Sequence, residues 1–234
     1  MILVLASAAN NEAAAFARKR TNAAASVITC YDIAVNKSSF RYPDVASSKI
    51  TVQGKILMVK EIEGVINLLP AIFPDELFFY PPEEREYQAA EFHALLTFFL
   101  SALECPVINR PTSLSLTGPF INPLSWFHAA DAAGIPLSGV QFSSNDPPDA
   151  SLFLGQNTLT EVAYLGGKIV TPSNAIADVY TLRLADMTQV EYLKVFFEKR
   201  GEHDLQFVRA QTIPDLNDKS DVNSLSNYFH TNLS

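Results

Sequence analysis

Glycine is scarce in this chain, with nine in 234 residues, about half the usual frequency. No GxGxxG and no GxxxxGK[ST] occurs, so a glycine-rich loop that cradles phosphate through its backbone is excluded. Cysteine is scarcer: Cys30 and Cys105 stand 75 positions apart, neither a metal spacing nor a disulfide framework, and reduced, buried thiols are expected. Cations are in deficit, 17 Lys and Arg against 25 Asp and Glu, for a net charge of −8. Arg18, Lys19 and Arg20 form the one basic triplet, which argues against binding a phosphate backbone and hence against a nucleic-acid partner. The longest apolar stretch, Ala94–Leu103, is broken by Thr97 and Ser101 and falls well short of the roughly 20 residues that span a bilayer. Met1–Ala8 is apolar but has no basic flank before it, and Asn10, Asn11 and Glu12 follow at once. It reads as a core strand rather than a signal peptide, in a soluble, cytoplasmic protein.

What the chain does have is 48% hydrophobic residues, enough for a sizeable core. Ile2–Leu5 is a continuous apolar run of the kind buried on both faces of a parallel sheet. A helix over 12–19, capped by Asn10 or Asn11, and a second strand over 25–30 complete a βαβ opening, which implies a parallel, right-handed unit. Gln53-Gly54 joins two short β-rich runs, 49–52 and 55–59, as a hairpin. A strand over 64–69 stops at Pro70. Pro81-Pro82-Glu83-Glu84 opens a long amphipathic helix ending near Glu104. A strand over 106–109, a helix from Asn122-Pro123 to Gly134 and a strand over 137–142 follow. Ser143–Ala150 carries Asn145-Asp146-Pro147-Pro148 and marks a boundary. Beyond it come a hairpin about Gly166-Gly167, a helix capped by Asn174, an alternating strand over 191–197, another over 204–210, and a terminal helix from Ser220 or Asp221. The expected organisation is thus an α/β domain over 1–142 and an α+β part over 151–234.

Catalytic signatures are thin. His93, His128, His203 and His230 show neither HxH nor HxxxH spacing, so no metal site is expected. No serine sits in a GxSxG elbow. Gly166-Gly167-Lys168 reads as a turn with a solvated lysine. Glu83, Glu84 and Glu86 suit the positive end of a helix, and Asp215, Asp218 and Asp221 a solvated helix entrance. Phe73, Phe78, Phe79 and Tyr80 lie between prolines, either as core or as a partner groove.

In order along the chain, these segments resemble an ATP-grasp ligase of the group that modifies ribosomal peptides and proteins. The acidic helix with Glu91, Leu95, Leu96 and Leu100, then Val107-Ile108-Asn109-Arg110-Pro111, the helix 125–131 and Ala132-Ala133-Gly134-Ile135-Pro136 resemble the pre-ATP-grasp domain. Glu161–Val170, Asp178–Asp186 and Phe207-Val208-Arg209-Ala210-Gln211-Thr212-Ile213-Pro214-Asp215-Leu216 resemble the end of the ATP-grasp fold. The resemblance implies a Rossmann-like, pre-ATP-grasp-like N-terminal domain followed by a truncated α+β ATP-grasp C-terminal part.

It also implies losses. Active members read Glu-Val-Asn-x-x-Pro-Asp-Leu where this chain has Arg209 and Gln211 in place of the Glu and Asn that hold magnesium, and a guanidinium repels that ion. The ATP-clamping lid would lie between Val140 and Glu161, which only 20 residues separate. Leu68-Leu69 stands where an arginine pair is frequent. The reading is a degenerate homologue, a binding or adaptor module for a ligase or its peptide or protein substrate, with no cofactor. Two alternatives stand beside it: an active ATP- and magnesium-dependent carboxylate–amine ligase using Asp204, Asp215 and Asp218, and a small-molecule-binding α/β protein. A surviving groove is expected beyond the carboxyl ends of the parallel strands, near Ser7, Asn10, Asn67, Asn109 and Arg110. Taken singly, Asn10 also reads as a helix cap and Asn109 as a strand-end turn residue. Arg110 either clamps an anion or pairs with Glu91 or Asp131.

Overall fold

A computed structural model describes residues 1–19, 25–36, 38–119, 121–139, 159–200 and 204–231. The chain divides into two compact units, Met1–Phe120 with Ile213–Ser234, and Ile121–Thr212. This is not the expected division at 142 and 151. The helix after Asn122 packs with the later strands, Phe127 lying edge-on to Phe207 at 5.3 Å, and the chain after Thr212 returns to the first unit.

In the first unit β1 (Ile2–Leu5), α1 (Asn11–Lys19), β2 (Ala25–Ile28), α2 (Cys30–Val35), β3 (Lys49–Val52), β4 (Lys55–Met58), β5 (Gly64–Asn67), α3 (Arg85–Ala102) and β6 (Val107–Ile108) follow one another. The main sheet runs β2-β1-β5-β6 and is parallel throughout. Leu3, Leu5, Val65 and Val107 pack on one face with Leu96 and Leu100 of α3. Ile2, Val4, Ile66 and Ile108, on the other face, are equally buried. Both faces are covered, as the unbroken apolar runs require.

The second strand ends earlier than expected. Thr29 leaves the sheet to cap α2, accepting from the Asp32 amide while the Asp32 carboxylate accepts from the Thr29 amide, a closed capping box. The β3–β4 hairpin turns on Gln53 (φ 51°) and Gly54 (φ 77°), the paired left-handed residues that match strand twist.

In the second unit α4 (Pro123–Ala132), β7 (Leu159–Leu165), β8 (Lys168–Thr171), α5 (Ala175–Thr188), β9 (Tyr192–Lys199) and β10 (Leu205–Gln211) form an antiparallel sheet, β10-β9-β7-β8, with two helices. Val162, Leu193, Val195, Phe197 and Phe207 face Trp126 and Ala130 of α4 and Leu184 of α5. The expected strand over 137–142 is, among the described residues, a single parallel bridge: the Phe207 amide donates to Pro136 at 2.7 Å, and Ser138 donates back at 2.9 Å. The expected boundary loop, 143–150, lies outside the described residues.

The first unit closes with α6 (Lys219–Thr231). Its fully buried Phe229 lies so close to Gly64 that a Cβ there would run into the ring. Among the described residues no helix is long and apolar enough to cross a membrane.

Candidate functional site

Ser7, Asn67 and Asn109 lie at one end of the parallel sheet, Asn67 closing β5 and the other two following β1 and β6. There Ser7 and Asn67 are occupied with the backbone. Ser7 Oγ accepts from the Ala9 amide at 3.3 Å and shapes the turn into α1. Asn10 Oδ1 accepts from the Ala13 amide at 2.9 Å, the helix cap. Asn67 is buried; its Nδ2 donates to the Leu116 carbonyl and its Oδ1 accepts from the Leu69 amide at 3.0 Å. Asn109 is buried against Gly118, whose φ of +98° and close approach admit no Cβ.

Within the first unit Arg110 does not pair with Glu91. Its guanidinium donates to the carbonyls of Leu100, Ser101 and Cys105, the last at 2.8 Å, and so closes the C-terminal end of α3. A cation fits that position because the unpaired carbonyls of a helix end carry partial negative charge.

The second unit is arranged differently. Paired residues on adjacent antiparallel strands share a face. Phe196 is flanked by Glu161 on β7 and Arg209 on β10, and Lys194 by Ala163 and Gln211. These residues form the face opposite the helices. The Arg209 guanidinium lies over the Phe196 ring, 3.9 Å from its centroid. Lys194 is almost wholly buried, with Nζ 3.8 Å from a Glu161 carboxylate oxygen. Farther along, Glu198 pairs with Arg200 at 3.2 Å. A bulge between Phe207 and Arg209 resets the register so that Arg209 and Gln211 join this face.

This face has a clear bearing on a divalent cation. Magnesium needs several oxygen donors at about 2.0–2.1 Å in octahedral array. Gln211 supplies one amide oxygen, but the residue across from it is an ammonium, and the residue across from Arg209 is a ring. The carboxylate in this row, Glu161, lies two strands from Arg209 with Phe196 between them, about 9–10 Å away in strand spacing. The donor set does not fit the ion. Among the described residues no group of three or more His, Cys, Asp or Glu side chains gathers to hold a metal.

No family model and no curated protein matches the sequence. Solved structures do. The ATP-grasp ligase PsnB, complexed with a phosphomimetic variant of its minimal precursor, Mg and ADP, aligns over 100% of this chain and 98% of its own at a TM-score of 0.70 and 11% identity. The macrocyclase MdnC of Microcystis aeruginosa, bound with precursor peptide MdnA, aligns over 96% and 98% at 0.67 and 11%. The chain has the ATP-grasp ligase fold. D-alanine-D-alanine ligase from Aeromonas hydrophila extends the likeness at 0.53, with 14% identity over 97% of this chain and 94% of that one.

Arg209 and Gln211, which the sequence resemblance sets against metal-holding residues, both lie on β10. The register adds Phe196 and Lys194 beside them. Sequence reading passed over both, because 191–197 reads simply as an alternating strand. In fact every residue from Tyr192 to Glu198 is buried. The signal was a lysine inside an otherwise apolar run.

Proposed function

We propose that this ATP-grasp-fold chain is a binding module and not a ligase, and that it engages a peptide or a segment of a protein. One observation carries the proposal: the Arg209 guanidinium stacked on Phe196, where ligation of a magnesium nucleotide would call for oxygen donors. A fixed cation and an apolar ring together repel a metal and deny it ligands.

Two of the three carboxylates an active alternative would recruit have other duties. Asp215 Oδ1 accepts from Asn217 at 2.8 Å, and Asp218 Oδ1 from Ser220 at 2.8 Å, shaping the entry to α6. Asp204 is exposed at the start of β10. The sequence separation of 20 residues between Val140 and Glu161 is short for a multi-strand lid. A peptide partner is supported by the fold relatives, of which PsnB and MdnC are complexed with precursor peptides.

Titration with Mg-ATP by isothermal calorimetry tests the reading. The expected result is no saturable heat. Micromolar, magnesium-dependent binding overturns it.

A further inference from the structure

The first unit also exposes aromatic surface, on α2 and on the segment that follows β5. Tyr31 on α2 is 40% exposed and Phe78 57% exposed, and their rings stack, 6.1 Å apart and 4° from parallel. Phe79 stands edge-on to both, at 5.3 Å and 5.5 Å. Val35, one turn along α2 from Tyr31 and so on the same side of the helix, is 48% exposed.

The platform is held firmly from below. Leu77 is fully buried in the core. A 3-10 turn over Pro74–Leu77 precedes Phe78, and the Arg85 guanidinium donates to the carbonyls of Phe78 at 3.0 Å and Tyr80 at 2.9 Å. A surface ordered in advance loses little entropy on binding.

Its border is acidic. Residues 74–86 hold five carboxylates, Asp75, Glu76, Glu83, Glu84 and Glu86, against the single Arg85. Among the described residues none of the five makes an ion pair. Asp75 and Glu76 belong to the 3-10 turn that leads directly into Phe78, three and two residues before it.

Exposed, ordered aromatics gain nothing for the fold and mark an interaction surface. We propose that the Tyr31–Phe78 platform docks a basic peptide segment that carries leucine or aromatic side chains. Arginine suits it best, because a guanidinium both stacks on a ring face and pairs with a carboxylate. The chain's net charge of −8 speeds the encounter with such a segment. This inference rests on the binding-module reading and names the chemistry of the partner.

The test is fluorescence anisotropy with a labelled nonapeptide alternating arginine with leucine and phenylalanine, beside the same peptide with glutamate for arginine. The basic peptide binds saturably and more weakly as salt rises, and the acidic one does not bind. Tyr31→Ala with Phe78→Ala weakens binding about tenfold or more. Asp75→Asn with Glu76→Gln weakens it as well, whereas Asp131→Asn with Asp186→Asn, an equal charge change on exposed helix positions of the second unit, leaves it unchanged. Circular dichroism confirms that each variant is folded, and both side chains of the aromatic pair are exposed enough to be removed without loss of core. No binding of the basic peptide, equal binding of the acidic one, or equal binding by the platform variants overturns the platform. If the platform fails and Mg-ATP still gives no heat, the binding-module reading stands without it; Mg-ATP binding overturns that reading whatever the peptide does.

Discussion

β1 and β9 hold equivalent places, each an interior strand of a four-stranded sheet, and each is buried almost from end to end. β1 is Ile-Leu-Val-Leu. β9 carries Lys194 and Glu198 among its buried residues, at 3% and 7% exposure. Taking an ammonium out of water costs several kcal/mol even when it is paired, roughly what the pairing returns. An apolar side chain at 194 would serve the fold equally well. The two sheets therefore answer to different demands. In the first unit the polar groups at the strand ends are spent on turns, caps and a helix end, and the sheet serves as scaffold. In the second, one face keeps charged and aromatic residues that stability does not call for, and there the proposed loss of chemistry is written.

The sharpest way to break that contrast is to disturb the scaffold where it has no slack. Gly64→Ala drives a Cβ into the buried Phe229 ring and should cost about 3 kcal/mol, the upper end of the overpacking range. Chemical denaturation measures this as a lower midpoint at unchanged slope. Adding Phe229→Leu, which frees space at that contact, should return part of the loss, whereas strict additivity of the two changes would show that the contact is not the cause.

Much of this scaffold is legible from sequence, for a local reason. Asn10, Asn122 and Asn174 each cap the helix that follows, as expected, because a cap needs only its own next three residues. Gln53-Gly54 and Gly166-Gly167 turn where they should because each pair ends in a glycine, which takes up positive φ at no steric cost. Thr29-x-x-Asp32 carried an equally local signal that the apolar run over 25–30 concealed. Illegible were the facts that depend on register or on return of the chain. The row Glu161–Phe196–Arg209 joins residues from three strands and exists only once β9 has found both neighbours. That α6 belongs with the first unit follows from Phe229 meeting Gly64, 165 positions away in sequence. Arg110 faces carbonyls of Leu100, Ser101 and Cys105 only because the chain doubles back after α3.

Two arginines sharpen the contrast at intermediate scale. Arg110→Ala removes charge-assisted bonds to three carbonyls and should lower stability by about 1.5–2 kcal/mol, moderated because the side chain is largely exposed. Arg209→Ala gives up one ring contact and should cost under about 1 kcal/mol. Denaturant curves of the two variants decide it. A larger loss at Arg209 than at Arg110 would make Arg209 the structural residue and undo the distinction.

The remaining effect lies in the core of the first unit and is absent at neutral pH. Burial, with the negative charge of Glu76 added, pushes the Cys30 thiol up to about 12 from an ordinary 9.0. The folded chain therefore keeps its proton over a range where the unfolded chain has lost it. The stabilising effect is complete below pH 9 and drains away as pH climbs toward 12, with a slope of at most about 1.4 kcal/mol per pH unit. Cys105 is raised in the same direction by its own burial, so Cys30→Ala should flatten the alkaline fall without abolishing it. Denaturation midpoints between pH 8.5 and 10.5, compared between the parent chain and the variant, should diverge as pH rises. Parallel curves would mean that the thiol ionises as readily inside as outside. The core beneath Tyr31 would then be wet, and a wet core could not hold the aromatic platform in place.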